Sequence, residues 1–137
     1  MYKQLYKVLN VLTLVAWLMV PATHAQSIML KADIPFDFKV GDQQLPSGEY
    51  FVKKLHSGVI QVQGKSSAFV MTTGADGGNT SGGSKLVFNR YGDQYFLSGI
   101  WAPGMGHELR KSRLEREVAA NFALGQTTVA ANRDSRK

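Results

Sequence analysis

Ile28-Met29-Leu30-Lys31-Ala32-Asp33-Ile34-Pro35-Phe36-Asp37-Phe38-Lys39-Val40 is the stretch that decides the fold class. Every even position is apolar, and the odd positions include Lys31, Asp33, Asp37 and Lys39. A strict period of two buries one face and wets the other, which is the signature of a β-strand. Thirteen residues is long for one strand. Pro35 sits on the wet parity and has no N–H for a ladder, so a bend, bulge or edge is expected there.

Downstream, the same alternation recurs in shorter pieces. Gly41 to Gly48 has turn composition. Strands are expected at 49–55, 59–63 and 68–73, the first two joined through His56-Ser57-Gly58. Gly74 to Ser84, with five glycines, reads as a flexible surface loop. Gly92-Asp93 is a two-residue hairpin signal joining strands 85–91 and 94–101. That turn would set Arg90 opposite Tyr95, Asn89 opposite Phe96 and Phe88 opposite Leu97. One face of this hairpin then carries Leu86, Phe88, Tyr95, Leu97 and Trp101 and reads as core. The other carries Val87, Tyr91, Phe96 and Ile100 and needs a cover.

The cover is expected from the next segment. Ala102 to Gly106 reads as a Pro/Gly break, and Ser112-Arg113-Leu114-Glu115 has the form of a capping box. Leu114, Val118 and Phe122 recur at helical spacing, and Gly125 is placed to end a helix running from near Arg113 to Leu124. No apolar period follows, so 126–137 is expected to be disordered. The expected fold is therefore all-β, a small antiparallel meander forming a barrel or a two-layer sandwich, with one C-terminal α-helix. The expected organisation is a signal peptide at 1–25, an antiparallel β domain at 26–106, a helical segment at 107–125 and a tail at 126–137.

The N-terminus carries the parts of a secretory signal. Lys3 and Lys7 precede an apolar run from Val8 to Val20, followed by Pro21 and by Thr23-His24-Ala25. Thirteen residues is short for a helix crossing roughly 30 Å of hydrocarbon. Cleavage after Ala25, a mature start at Gln26 and a periplasmic or extracellular location are expected, with no transmembrane segment in the mature chain. An uncleaved anchor is the alternative.

Composition narrows the chemistry. The 137 residues include no cysteine, which removes disulfides, thiolate metal sites and cysteine nucleophiles. The formal net charge is +6, but residues 26–106 hold seven basic against six acidic side chains, so no dense basic stripe marks a nucleic-acid binder. His56 and His107 are in no metal-ligand spacing, and no metal or cofactor is expected. No serine sits in a G-x-S-x-G elbow, and no glycine run has the ending of a phosphate-binding loop. Asp33 and Asp37 lie about 13 Å apart on one strand, too far to act together unless the bend at Pro35 closes the gap. The candidate ligand-binding residues are Arg90, Tyr91, Tyr95 and Trp101, a possible stacking platform for sugar rings or other flat ligands. The competing reading places Tyr95 and Trp101 in the core beside Leu86, Phe88 and Leu97.

Ile34-Pro35-Phe36-Asp37-Phe38, Val40-Gly41 and Leu45-Pro46-Ser47-Gly48-Glu49-Tyr50 together resemble the opening motif of a family of small exported bacterial β-rich proteins. The likeness extends to Lys85–Phe88, to Arg90–Leu97 and to Lys111–Glu117, and so covers most of the mature chain. It implies export and a β-rich fold and supplies no catalytic residue. Leu45–Tyr50 is also similar to the start of a strand in prealbumin-like and immunoglobulin-like sandwiches. The reading that results is an exported, non-enzymatic β-module binding or supporting an envelope or extracellular component. The alternatives are a small β-barrel with an interior pocket, carrying an apolar ligand or acting as a minor enzyme, and a structural subunit that pairs through a sheet edge. An interior pocket would require Arg90, Tyr95, Glu49 or His56 to converge inside.

Overall fold

The computed structural model describes residues 29–56, 58–74 and 82–134. The expected signal, the start at Gln26 and most of the glycine-rich loop lie outside the described residues. Among the described residues the strands are β1 (Met29–Ile34), β2 (Phe38–Val40), β3 (Gln43–Leu45), β4 (Gly48–His56), β5 (Val59–Gln63), β6 (Ser67–Gly74), β7 (Ser84–Tyr91), β8 (Gln94–Ala102), β9 (Met105–Leu109) and β10 (Gly125–Asp134), with one short helix, α1 (Arg113–Ala119).

Eight strands close into an antiparallel barrel in the order β1-β4-β5-β6-β9-β8-β7-β10 and back to β1. Closure leaves each of these strands with a ladder on both sides, which removes the open edges of a sandwich. The expected period-two run is cut at Pro35: β1 ends at Ile34 and β2 begins at Phe38. The parity survives the cut, because Leu30, Ala32, Ile34, Phe38 and Val40 are all buried while Lys31, Asp33 and Asp37 are exposed. After this break β2 and β3 extend the sheet from the first half of β8. Lys39 pairs with Phe96 in the one parallel contact between β2 and β8. Phe38 meets Tyr50 and Phe88 edge-on, with centroids 5.1 and 5.4 Å away, and Leu45 joins the same core. The β2–β3 hairpin thus adds Phe38, Val40 and Leu45 to the core.

The Gly92-Asp93 turn gives the expected pairs Arg90–Tyr95, Asn89–Phe96 and Phe88–Leu97. Gly92 has a φ of 60°, while no non-glycine residue among the described residues has positive φ, so glycine takes the first turn position as in a type II′ hairpin. Past Phe88 the register shifts, and Val87 pairs with Gly99. The extra residue is Ser98, whose hydroxyl donates to the Val87 carbonyl at 3.1 Å. A bulge reverses the parity of everything beyond it. This corrects the expected faces: Ile100 is fully buried inside, and Trp101 is half-buried on the outside.

Two further expectations are corrected. The Pro103-Gly104 break is a two-residue hairpin turn, since Ala102 pairs with Met105, and it starts strand β9. The segment expected to be disordered contains β10, which pairs Gly125–Ala131 with β7 and Asn132–Asp134 with β1. Of its inward residues Thr127, Val129 and Ala131, only Val129 is a sizeable apolar side chain, so the alternation is faint in the sequence. Ladders on both sides hold the strand in place of large side chains.

Candidate functional site

The β2–β3 hairpin and the β7–β8 turn bring a group of polar side chains together. Asp37 lies in the link that Pro35 begins, Lys39 on β2, Gln44 on β3, and Asp93, Gln94 and Tyr95 on the β7–β8 turn and the start of β8. With Phe38 beneath them they line a recess of about 180 Å³. Lys39 Nζ donates to Gln94 Oε1 at 2.7 Å and stands 5.2 Å from the centre of the Phe96 ring. The Ser47 amide donates to Asp37 Oδ1 at 2.8 Å. Both bonds hold side chains in place before anything binds.

Tyr95 stacks on Phe36 with centroids 3.9 Å apart and planes 15° from parallel. The Arg90 guanidinium stands 5.6 Å from the centre of the Tyr95 ring and donates through Nε to the Gly92 carbonyl at 2.9 Å. Of the four sequence candidates, then, Arg90 and Tyr95 come together beside the recess, and Tyr95 lines it.

Tyr91 is elsewhere. It points out of the barrel and is buried under α1, where its hydroxyl donates to Glu115 Oε1 at 3.1 Å. Asn89 Nδ2 donates to the same oxygen at 2.8 Å. Burial raises the Tyr91 pKa above its usual 10.0, the adjacent Glu115 carboxylate raises it further, and Lys111 opposes the shift. Ser112 caps the helix as its sequence implied, accepting from the Glu115 amide at 3.1 Å, and Asp42 accepts from the Leu114 amide at 3.4 Å. Yet the cover differs from expectation. The helix stops at Ala119, Phe122 is 52% exposed, and the helix residue that is buried is Glu115. The chain has to leave the helix early to enter β10 beside β7.

Trp101 sits at the opposite end of β8, six residues and about 20 Å from Tyr95. Its Nε1 occupies the space that a side chain at Gly99 would fill, 2.8 Å from an ideal Cβ there. The four candidates therefore form no single platform.

Sequence reasoning placed His107 before the helix, but it is buried in β9, with Nδ1 3.2 Å from Thr72 Oγ1. Burial lowers its pKa below the usual 6.5, and Lys54 lowers it further. No group of three or more metal-ligating side chains occurs among the described residues. Glu49 is exposed and pairs with Lys31 at 3.2 Å, while His56 and Arg90 are exposed. Only Tyr95 of the four groups proposed for an interior pocket packs against the core. The interior itself is occupied by Leu30, Ile34, Tyr50, Val62, Leu86, Phe88 and Ile100, each at most 1% exposed.

Comparison with protein-family models, with curated proteins and with solved structures finds no match to this chain. No helix among the described residues is long and apolar enough to cross a membrane.

Proposed function

We propose that this protein is an exported, non-enzymatic β-barrel module that binds an envelope or extracellular component on its outer surface. The observation that carries the reading is the filled barrel: large side chains occupy the interior, and the buried Asn89 and Tyr91 both donate to one oxygen of the buried Glu115. Groups bonded in this way hold a helix to a wall and are not free to act on a substrate. The packed interior likewise weighs against carriage of an apolar ligand inside. Asp37, Lys39, Gln44, Asp93 and Gln94 instead line a recess open to solvent between the β2–β3 hairpin and the β7–β8 turn. The basic residues Lys3 and Lys7, the apolar run Val8–Val20 and the small residues before Gln26 support export.

The test is to recover the protein from its native host, sequence its N-terminus, and sediment the purified protein with isolated envelope fractions. A chain beginning at Gln26 that saturably pellets with one fraction is the expected result. A chain beginning at Met1, or one that pellets with no fraction and turns over a substrate, contradicts the proposal.

A further inference from the structure

We infer that the recess between the β2–β3 hairpin and the β7–β8 turn is a binding site for a single neutral sugar ring. The inference deepens the binding-module reading and rests on it. A recess of about 180 Å³ is smaller than the roughly 300 Å³ at which pockets for drug-sized molecules begin, so it suits a ligand of one ring. Its chemistry then narrows the class. Asp37 and Asp93 repel an anion, and Lys39 in the same lining opposes a cation. The polar rim leaves an apolar ligand with unpaired neighbours.

What remains suits hydroxyl groups, which both donate and accept. The Gln94 carbonyl oxygen is already engaged by Lys39, so its amide presents N–H donors. Asp37 has one oxygen on the Ser47 amide, which fixes the carboxylate and leaves Oδ2 as an acceptor. Asp93 adds acceptors from the turn, and the Gln44 amide offers both kinds of atom from β3. With Phe38 buried, the half-buried Tyr95 supplies the apolar contact for a ring C–H, through the part of its side chain left open by Phe36 and Arg90. Tyr95 is held for this by its stack on Phe36.

The experiment is an amide-resolved NMR titration of the mature protein with methyl glucoside, methyl galactoside and N-acetylglucosamine, with glucuronate and glucosamine as charged comparisons. The variants Asp93→Ala and Gln44→Ala are titrated alongside, because both side chains are exposed and neither is needed for the core. The inference expects saturable shifts confined to the amides of residues 37–39, 44 and 93–95 with at least one neutral sugar. It expects weaker binding of both charged sugars, and a loss of about ten-fold in affinity in either variant. Three results overturn it: no saturable shift with any neutral sugar, shifts centred away from the recess, or unchanged affinity in both variants. Envelope sedimentation run on the same samples separates the two claims. Sedimentation without sugar binding removes the sugar site alone, whereas loss of both removes the binding module as well.

Discussion

The Tyr91 hydroxyl and Glu115 Oε1 are 3.1 Å apart, and that contact fastens the only described helix to the outside of the barrel. The same oxygen receives Asn89 Nδ2, so one buried carboxylate completes two buried donors from β7. Removing it strands both. Glu115→Ala is expected to lower stability by about 3 kcal/mol, since an unpaired buried polar group loses its full solvation. Glu115→Gln retains a carbonyl acceptor and is expected to cost about 1 kcal/mol. Urea unfolding of the two variants measures the difference; equal and small losses would mean that the helix is held by something else.

The Ser98 bulge makes opposite demands of neighbouring residues. Ile100 is fully buried, so Ile100→Ala is expected to cost about 3 kcal/mol. Trp101 is the larger side chain but lies outside and half-buried, so Trp101→Ala is expected to cost about 1 kcal/mol. Chemical denaturation gives the order directly. A costlier Trp101 variant would restore the unbulged register.

Gly64 lies opposite Tyr50, and a Cβ there would come within 2.6 Å of both the Glu49 carbonyl oxygen and the Tyr50 ring. Neither neighbour is a flexible chain end, so Gly64→Ala is expected to cost about 2 kcal/mol or more by overpacking. Gly74 has nothing within 4 Å of its ideal Cβ. Gly74→Ala is the matched control and is expected to be neutral within about 0.5 kcal/mol. Melting curves of the pair, read together, test the packing between the end of β5 and β4.

His107 gives the barrel a pH dependence of known sign. Its pKa in the folded chain lies below the usual 6.5, through burial first and Lys54 second, so the folded state resists taking up the proton. The unfolded chain binds that proton more readily. This contribution to stability is therefore complete above pH 6.5 and is lost as pH falls through the lower, folded value. His107→Asn, which keeps a polar partner for Thr72, is expected to flatten stability against pH in that window. Denaturant midpoints measured on both proteins above and below pH 6.5 check it; parallel slopes would show that carboxylates alone set the acid response.

Much of the fold is legible in the sequence because its signals are local. The alternation through Phe38 and Val40 marks buried positions even where Pro35 interrupts the strand, and Gly92-Asp93 fixes the pairs Arg90–Tyr95 and Phe88–Leu97 without further help. The bulge at Ser98 is not legible, because it depends on how two ladders fit and leaves the local composition unchanged. Strand β10 is missed because Thr127 and Ala131 carry too little apolar surface to show a period, and the neighbours β7 and β1 supply the order. Glu115 reads as a capping residue from its spacing to Ser112; that its side chain turns inward to Asn89 depends on tertiary packing. The recess escapes a linear reading for a related reason. Asp37, Gln44 and Asp93 are remote in sequence and meet only because β2 pairs with both β3 and β8.

Hydrogen exchange at the amides of Thr127 to Ala131 tests the closed barrel most directly, since these residues bridge to β7 and the strand goes on to β1. Protection there equal to that of Leu86 and Phe88 is the expected result, because one cooperative wall opens as a unit. Exchange at the rate of an unstructured peptide, with β7 still protected, would contradict it and leave a barrel with a missing stave.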